Sequence, residues 1–347
     1  MMTRMFHLLL LIIIVRSIAC SSSSTRPSTI KSLILATLGR SNDSLTFADF
    51  AQSYEKQYKS AEEIHKRFGI FMDNFHRIRS TNKKGLRFTV GINEFTDMSF
   101  DEFKSKRLIE WNTSVPLANR TRIYNLTDAV APLMKDWRND GIISPVRQQG
   151  DCFACWAFSA AGAIEAAKNK LENQTVTVSV RQLVDCSTAD GGCEGGRTDS
   201  AFLYVARNGG INSDPSYPYT GTEGTCSFDP NHIAAKVTGV EWVHYGDEED
   251  LEKVVGLIGP VSVGIQAEGD FLDYKGGIYR TTSCGDPGKL NHAMLVVGYG
   301  LDYFDDQPYW ILKNSWGDGW GVGGYLFMEK GTNMCGVAYV ANFPTVE

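Results

Sequence analysis

The stretch from Gln149 to Phe158, QGDCFACWAF, decides more about the fold than any other part of this 347-residue chain. A loop that contains a glycine runs here into an alanine-rich, helix-forming segment, so Cys155 falls in the first turn of a predicted helix. Unpaired backbone N–H groups and the positive end of the helix dipole favour the thiolate over the thiol at such a position. Because the thiolate is the nucleophilic form, Cys155 is the candidate catalytic residue.

The number of cysteines points to the same residue. The chain has eight cysteines, and we expect Cys20 to be lost with a signal peptide. Seven then remain, so three disulfide bonds would leave one thiol free, and we expect that thiol to be Cys155. A zinc site at Cys152 and Cys155 is the alternative, but a structural zinc ion needs a second pair of ligands at matching spacing, which the sequence lacks.

The N-terminus predicts entry into the secretory pathway. Arg4, the apolar run from Leu8 to Val15 and the small residues at 17–19 are typical of a signal peptide over residues 1–19, and a retained signal anchor is the alternative. We expect a lysosome-like acidic compartment or the extracellular space as the destination, where disulfide bonds persist. Five Asn-X-Ser/Thr sequences predict glycosylation, at Asn42, Asn112, Asn119, Asn125 and Asn173.

The chain divides into two segments of opposite charge. Residues 21–130 carry 17 Lys and Arg against 12 Asp and Glu, whereas residues 131–347 carry 15 against 28. Opposite charges favour docking of one segment on the other, and protonation of carboxylates in acid would weaken that attraction. The alternative is that both charges only keep the surfaces soluble.

Hydrophobic periodicity predicts an α+β protein. Aromatic residues at three- and four-residue steps predict a helix from about Leu45 to Asn82, and Ser99 with Glu102 predicts the start of a short helix within 97–106. Helices followed by strands imply two lobes with a cleft between them. In the second segment we expect helices at 155–171, 180–186 and 200–208, and strands at 260–266, 293–300, 309–313 and 325–329.

A cysteine nucleophile needs a general base in a fixed orientation. His292 stands directly before a predicted strand that can hold its ring, whereas His232 and His244 are expected in surface loops. The amide oxygen of Asn314, at the end of another predicted strand, would hold the imidazole in one tautomer, and Trp316 would shield that bond from water.

A hydrogen-bond donor is also needed to stabilise the negative charge that develops on the carbonyl oxygen of the substrate during the attack. Gln149 lies six residues before Cys155, so its side-chain amide and the backbone N–H of Cys155 would form an oxyanion hole.

Two further motifs lie in the first segment. One comprises Glu63, Arg67, Phe71, Asn74, Ile78 and Asn82, and the other comprises Gly91, Asn93, Phe95 and Asp97. They match the ERFNIN and GxNxFxD motifs of an inhibitory propeptide, and the blocks around Cys155, His292 and Asn314 match the catalytic blocks of the papain family. From about Thr46 to its C-terminus the chain therefore resembles a cathepsin L-like cysteine protease precursor of that family.

The resemblance implies a papain-like two-lobe fold, with a helical left lobe and a β-barrel-like right lobe, preceded by a helical propeptide domain. The propeptide would cover 20–130, with a helical core at about 46–106 and a linker at about 107–130. The mature peptidase domain would cover 131–347 and begin near Ala131 or Pro132. Catalysis is expected from Cys155, His292, Asn314 and Gln149. The implied disulfide bonds are Cys152–Cys193, Cys186–Cys226 and Cys284–Cys335.

The resemblance also implies where a substrate binds. A mostly apolar pocket predicts an apolar or aromatic residue two positions before the cut. Arg197 in that pocket would accept an acidic side chain or lie solvated at its rim. The expected substrate-binding residues are Gly195, Gly196, Arg197, Thr198, Gly264, Leu290, Ala293, Val340 and Trp316.

Phe153 and Ala154 depart from the family, which usually has Gly-Ser between the two cysteines. A phenyl ring at residue 153 would narrow the pocket for the residue before the cut, close the cleft, or turn outward onto the surface of the lobe. We expect a secreted zymogen of a cysteine endopeptidase whose propeptide is released by acid. The alternative is a silenced homologue that binds peptide or protein without cutting it.

The resemblance implies no cofactor and no metal. The partners that it implies are protein or peptide substrates, the chain's own propeptide as an intramolecular inhibitor, and proteinaceous cysteine-protease inhibitors. We expect a monomer that binds no nucleic acid and, after loss of the signal peptide, no membrane.

Overall fold

The computed structural model describes residues 29–109, 126 and 128–347. The predicted signal peptide and the sequons at Asn112, Asn119 and Asn125 lie outside these residues. Asn42 and Asn173 lie within them, and both are exposed. None of the helices described here is long and apolar enough to cross a membrane.

The fold combines helices with one large sheet, so the prediction of an α+β protein is confirmed. The helices are α1 (Ile30–Leu38), α2 (Asn42–Ser53), α3 (Ala61–Asn82), α4 (Phe100–Arg107), α5 (Cys155–Glu172), α6 (Val180–Cys186), α7 (Thr198–Asn208) and α8 (Glu248–Leu257). The strands are β1 (Phe88–Val90), β2 (Lys135–Asp136), β3 (Ile211–Asn212), β4 (Ile233–Ala235), β5 (Val237–Trp242), β6 (Val261–Ile265), β7 (Tyr274–Tyr279), β8 (His292–Leu301), β9 (Pro308–Lys313), β10 (Tyr325–Glu329) and β11 (Ala341–Val346).

The chain forms two compact units, which divide between Tyr58 and Lys59. The described part of the first unit consists of α1 and α2, each of which begins at a side-chain cap. The Thr29 side chain accepts a hydrogen bond from the N–H of Ser32, and Ser41 accepts one from the N–H of Ser44. These caps satisfy backbone donors that a helix leaves free at its start. The second unit contains every other element.

The prediction of one helix from Leu45 to Asn82 is wrong, because the chain leaves the helical conformation between α2 and α3. Glu55 has a positive φ of 51°, which a right-handed helix does not allow. A new helix then starts at Ser60, whose side chain accepts a hydrogen bond from the N–H of Glu63 at 3.2 Å. The Glu63 carboxylate in turn accepts from the N–H of Lys59 at 2.7 Å. The predicted start of α4 is confirmed, since Ser99 and Glu102 form a capping box.

The large sheet has β8 near its centre. Its strand order is β1-β7-β10-β9-β8-β6-β11-β5, an open path, and β2 also pairs with β8. At the edge, β1 of the first segment pairs antiparallel with β7 of the second. Gly277 makes this pairing possible, because a Cβ atom there would lie 2.2 Å from the carbonyl oxygen of Arg87. The first segment therefore contributes a strand to the sheet of the second.

The long helix α5 packs closely against β8 and β6. Ser159 donates a hydrogen bond to the carbonyl of Met294 at 2.7 Å, and Ser262 donates to the carbonyl of Ser159 at 3.1 Å. Gly162 allows the close approach, since a Cβ atom at that position would lie 3.0 Å from a methyl group of Leu295. One hydrophobic core lies around α5, α6 and α7, and a second lies among the strands and the tryptophans 316 and 320. Two cores correspond to the two lobes that the sequence predicts.

The disulfide bonds of the described residues pair six cysteines and leave Cys155 free and buried. They are the pairs that the family resemblance implies: Cys152–Cys193, Cys186–Cys226 and Cys284–Cys335. Because Cys152 is bonded to Cys193, it is not available as a zinc ligand.

A network of buried polar side chains connects α5 to the sheet. The fully buried Glu165 accepts hydrogen bonds from Ser144, from Arg147 at 2.7 Å and from the N–H of Val178 at 2.9 Å. Lys313 of β9 donates to Ser144 at 2.9 Å, and burial lowers the pKa of Lys313 to about 8. Glu165 therefore compensates the positive charge of Arg147, which Asp214 also approaches at 3.5 Å, and of the buried Lys313.

We expect Glu165→Ala to lower the free energy of unfolding by about 3–5 kcal/mol, because it leaves buried cationic groups without their carboxylate. Urea unfolding followed by tryptophan fluorescence, in a Cys155→Ala background that prevents autolysis, measures the change. Glu172→Ala is the matched control, since it removes an ion pair to Lys168 at 2.8 Å on the exposed end of the same helix. The control should change the free energy by less than about 1 kcal/mol. Equal effects of the two variants would contradict the role given to Glu165.

Candidate active site

Cys155 is the first residue of α5, and no side chain caps the helix at the preceding residue, Ala154. The N–H groups of the first turn therefore remain directed toward the thiol. The side chain is completely buried, and this burial raises the pKa of Cys155 to about 12, although the N–H groups of Ala293, Trp156 and Cys155 itself act in the opposite direction. In this state the sulfur is a protonated thiol.

The tautomer of His292 follows from the orientation of Asn314. The Asn314 side-chain oxygen accepts hydrogen bonds from the N–H of Ser315 at 2.8 Å and from Nε2 of His292 at 2.8 Å. Nε2 must therefore carry the proton, which leaves Nδ1 as an acceptor. Within the described residues Nδ1 is buried and has no hydrogen-bond partner. Burial lowers the pKa of His292 to about 4, against the opposing effect of Asn314, so the ring is neutral here.

The aromatic ring of Trp316 covers this pair. Its centroid lies 4.5 Å from that of the His292 ring, with 31° between the planes. Both His292 and Trp316 are completely buried. The bond between His292 and Asn314 is thus shielded from water, as the sequence predicts for Trp316.

Gln149 is held in one orientation by hydrogen bonds to both ends of its side-chain amide. Its side-chain oxygen accepts hydrogen bonds from Ser315 at 2.8 Å and from the indole N–H of Trp316 at 3.1 Å. Its Nε2 donates to the carbonyl of Cys152 at 3.0 Å and to the carbonyl of Arg107 at 3.3 Å. The amide nitrogen that the sequence predicts as an oxyanion donor is therefore bound to a carbonyl of the first segment.

The chain after α4 crosses the site. The N–H of Ile109 donates to the carbonyl of Asn291 at 2.9 Å, and its side chain packs with Cys155 and Ala293. A methyl group of Ile109 lies 3.0 Å from where a Cβ atom of Gly195 would be. No substrate can reach the thiol while Ile109 is in this position.

Phe153 lies on the cleft side and does not turn away from it. Its half-buried ring packs against the cluster formed by Ile109, Cys155 and Ala293. The ring also lines an open pocket of about 480 Å³ together with Ile109 and Glu194. The phenyl group therefore adds apolar surface next to the nucleophile and narrows the space there.

The structure brings together several residues of the predicted specificity pocket. Gly264 and Ala293 are partners in the pairing of β6 with β8, and the N–H of Gly264 donates to the carbonyl of Val340 at 2.8 Å. Leu290 and Thr198 are both buried.

Two of the predicted residues are fixed by local geometry. Gly196 must lack a side chain, because a Cβ atom there would lie 2.6 Å from the Trp156 ring. Arg197 forms a bidentate ion pair with Asp199, with both distances at 3.0 Å, and its N–H donates to Asp190. The guanidinium of Arg197 is thus already paired with a carboxylate of α7.

Comparison with known proteins identifies this arrangement. The profile "Papain family cysteine protease" matches residues 131–345. The chain belongs to the papain family. A second profile, "Cathepsin propeptide inhibitor domain (I29)", matches residues 47–103. The residues before 131, where the peptidase profile begins, include this inhibitor domain and are called the propeptide below.

Similar proteins cover almost the whole chain. Oryzain gamma chain of Oryza sativa subsp. japonica is 45% identical over 324 residues, which is 92% of this chain and 88% of that protein. Cysteine proteinase 2 of Zea mays is 46% identical over 323 residues, 92% of this chain and 89% of that protein. The structure of digestive procathepsin L2 proteinase from Tenebrio molitor larval midgut has a TM-score of 0.82 and 37% identity, and the match covers 87% of this chain and 99% of that one.

The chain is therefore a cysteine endopeptidase in its zymogen form, with the papain-like fold and its own propeptide as an intramolecular inhibitor. Sequence reasoning missed three contacts of the site. They are the Ser315 hydroxyl that orients Gln149, the Asn291 carbonyl that binds Ile109, and the Arg107 carbonyl at the oxyanion donor. Ser315 directly follows Asn314, but nothing in the sequence distinguishes its hydroxyl as a contact of Gln149.

We expect Gln149→Ala to lower the kcat of the matured enzyme about 10²–10³-fold with little change in KM, because the amide donor serves mainly the charged transition state. Steady-state hydrolysis of a fluorogenic peptide measures both constants. Ser315→Ala is the comparison variant, since Trp316 still holds the Gln149 oxygen in it. Its loss should be smaller than about tenfold. A Gln149→Ala enzyme with normal kcat would rule out the oxyanion role.

Proposed function

We propose that the matured enzyme cuts peptide bonds by attack of the Cys155 thiolate, with His292 as general base and acid, Asn314 as its orienting residue and Gln149 as oxyanion donor. The observation that carries this assignment is the fixed tautomer of His292. With the proton on Nε2, the free Nδ1 can take the proton of the thiol.

The proposed reaction proceeds in two halves. The sulfur forms a bond to the peptide carbonyl carbon, and the oxygen charge is stabilised by Gln149 and the N–H of Cys155. The C–N bond then breaks as protonated His292 gives its proton to the leaving amine. Water attacks the acyl-enzyme with His292 as base, which releases the acid product and the thiol.

The propeptide inhibits by more than steric exclusion in this proposal. Ile109 and its neighbours keep water from Cys155 and His292, and burial disfavours the charged form of each. Removal of the propeptide readmits water to both groups, so the ion pair of thiolate and imidazolium becomes accessible. Maturation is proposed near Ala131 or Pro132, where the peptidase domain begins.

The proposed preference is for an apolar or aromatic side chain two residues before the cut. The apolar surroundings of Ala293, the buried Leu290 and the pairing of Arg197 with Asp199 all support this choice over an acidic side chain. Phe153 is proposed to restrict the residue directly before the cut to one that packs beside its ring, as Ile109 does.

We also propose that the zymogen enters the secretory pathway and works in a lysosome-like compartment or outside the cell, as a monomer. The exposed sequons at Asn42 and Asn173 and the three disulfide bonds support passage through an oxidising compartment. Proteinaceous inhibitors that enter the cleft would compete for the surface that Ile109 covers.

Acid is proposed to loosen the propeptide through Glu102, which ties α4 to α3. Burial alone would raise the pKa of Glu102, but Lys66 at 2.6 Å, the N–H of Ser99 and Arg67 at 2.9 Å together lower it from 4.5 to about 2. A carboxyl group with a lowered pKa stabilises the fold above its ordinary pKa and loses that contribution as the pH falls from about 4.5 toward 2. The propeptide is therefore weakened in acid.

The peptidase domain responds differently at its own contact with the propeptide. Burial raises the pKa of Asp273 to about 6, although Arg77 of the propeptide lies 2.6 Å away and lowers it. A carboxyl with a raised pKa costs the fold stability as it ionises, so that cost is relieved below about pH 6. Acid thus neutralises Asp273, one of two carboxylates that pair with Arg77, without destabilising the peptidase domain at this position; the other is Asp270 at 3.3 Å.

The proposed function is tested by acidifying purified zymogen and by following both the loss of the propeptide and the hydrolysis of a peptide with Leu or Phe two residues before the bond. We expect wild-type zymogen to be processed and to cleave the peptide. Cys155→Ala should do neither, because it lacks the nucleophile. A fully processed wild-type enzyme whose Cys155 reacts with iodoacetamide, but which cuts no peptide, would overturn the proposal.

The acid mechanism makes a separate prediction for Glu102→Gln. The variant lacks the charge that attracts Lys66 and Arg67, so at about pH 5.5 its zymogen should be processed about two- to fivefold faster than wild type. Gel densitometry over time measures this rate. Asp101→Asn, which neutralises the adjacent exposed carboxylate of α4, should be processed like wild type. Faster processing of both variants to the same degree would show that net charge matters and that the Glu102 contacts do not.

A further inference from the structure

The path of the propeptide past the catalytic residues distinguishes the two sides of the cleft. The carbonyl of Arg107 meets the amide of Gln149, and two residues later Ile109 packs on Cys155 and Ala293 and against Gly195. Gly195 and Ala293 belong to the side where the part of the substrate before the cut is expected. Arg107 therefore lies toward the opposite side, where the leaving group of a substrate would be.

Two cations of the propeptide meet one carboxylate on that side. Arg107 Nη2 lies 2.9 Å from one oxygen of Asp151, and Lys106 Nζ lies 3.1 Å from the other. Arg107 Nη1 also donates to the side-chain oxygen of Gln148 at 3.2 Å. The Arg107 side chain is only 10% exposed, whereas that of Asp151 is 59% exposed. The guanidinium also lies over the ring of the propeptide's own Phe95, 5.2 Å from its centroid, while the carboxylate itself can be reached from solvent.

Asp151 loses these contacts when the propeptide leaves. In the described part of the chain, both ion-pair partners of Asp151 belong to the propeptide. The nearest basic residue of the same loop, Arg147, is already paired with the buried Glu165. The matured enzyme therefore presents an unpaired carboxylate two residues from the oxyanion donor, beside the free amide oxygen of Gln148.

The loop that carries Asp151 is fixed relative to the catalytic residues. The N–H of Gln149 donates to the carbonyl of Ser315 at 2.9 Å, and the hydroxyl of Tyr219 donates to the carbonyl of Gln149 at 2.7 Å. Directly after Asp151, Cys152 is held by its disulfide bond to Cys193. Such a loop presents its carboxylate at a constant position relative to the scissile bond, as selection of a substrate side chain requires.

We propose that Asp151, assisted by the Gln148 amide oxygen, forms a subsite for a basic side chain on the leaving-group side of the scissile bond. The subsite rests on the proposed cleavage by Cys155 and adds a selection for Arg or Lys among the first two residues after the cut. Arg is favoured over Lys because its planar guanidinium bonds a carboxylate and an amide oxygen together, as Arg107 does. The propeptide binds this subsite with its own Arg107 and thereby blocks it.

The experiment uses matured enzyme and peptides with a constant Leu or Phe two residues before the bond. Arg, Lys, Ala or Glu is placed in turn at the first and at the second position after the bond. We expect kcat/KM for the Arg peptide to exceed that for the Ala peptide about three- to thirtyfold at one of these positions, as for a partly exposed charge-assisted contact. The preference should decrease with added salt.

Substitutions of Asp151 test whether its carboxylate forms the proposed subsite. Asp151→Asn should bring the ratio of Arg to Ala close to one, and Asp151→Lys should reverse the order of the Arg and Glu peptides. Asp318→Asn, which removes an exposed carboxylate from the loop after Trp316, should keep the wild-type ratio. Equal cleavage of the Arg and Ala peptides by wild type, or an Arg preference that survives in Asp151→Asn, would overturn the subsite while leaving the proposed protease function intact. Cleavage of no peptide at all would overturn both.

Discussion

The side-chain amide of Gln149 is the interaction on which the rest of the site depends. Its oxygen is bound by Ser315 and Trp316, which follow β9, and its nitrogen faces the start of α5. The same amide therefore joins the loop before α5 to the segment after β9. Because its oxygen accepts two hydrogen bonds, the orientation of the amide is fixed, and its N–H groups are directed to the carbonyls of Cys152 and Arg107. The zymogen uses this fixed direction to hold a carbonyl of the propeptide.

The inhibited state follows from competition for groups that the proposed mechanism also needs. The carbonyl of Arg107 binds the amide of Gln149, the proposed oxyanion donor, and Ile109 packs on Cys155. Burial then keeps Cys155 protonated and His292 neutral, so the nucleophile is inactive even before steric exclusion is considered. One short segment of chain thus controls access, protonation and transition-state stabilisation together.

In the proposed activation, acid acts on the two parts of the zymogen in opposite ways because Glu102 and Asp273 lie in different environments. The cationic partners of Glu102 lower its pKa by more than burial raises it, so its negative charge stabilises the propeptide. Burial raises the pKa of Asp273 by more than Arg77 lowers it, so its negative charge destabilises the peptidase domain. In the proposed mechanism, a fall in pH below about 4.5 weakens the inhibitor through Glu102, whereas a fall below about 6 relieves a cost to the peptidase domain at Asp273.

The sequence by itself determined the elements whose cause is local. Neighbouring residues set the helix that starts at Cys155, the capping box of Ser99 and Glu102, and the strand that starts at His292. The break between α2 and α3 escaped prediction because the aromatic period continues across it, while a positive φ at Glu55 interrupts the backbone. Only the tertiary structure decided that Phe153 faces the cleft, that Ser315 orients Gln149, and that Asp151 meets Arg107. Each of these contacts joins residues that lie far apart in the sequence, so it depends on packing and charge in the folded protein.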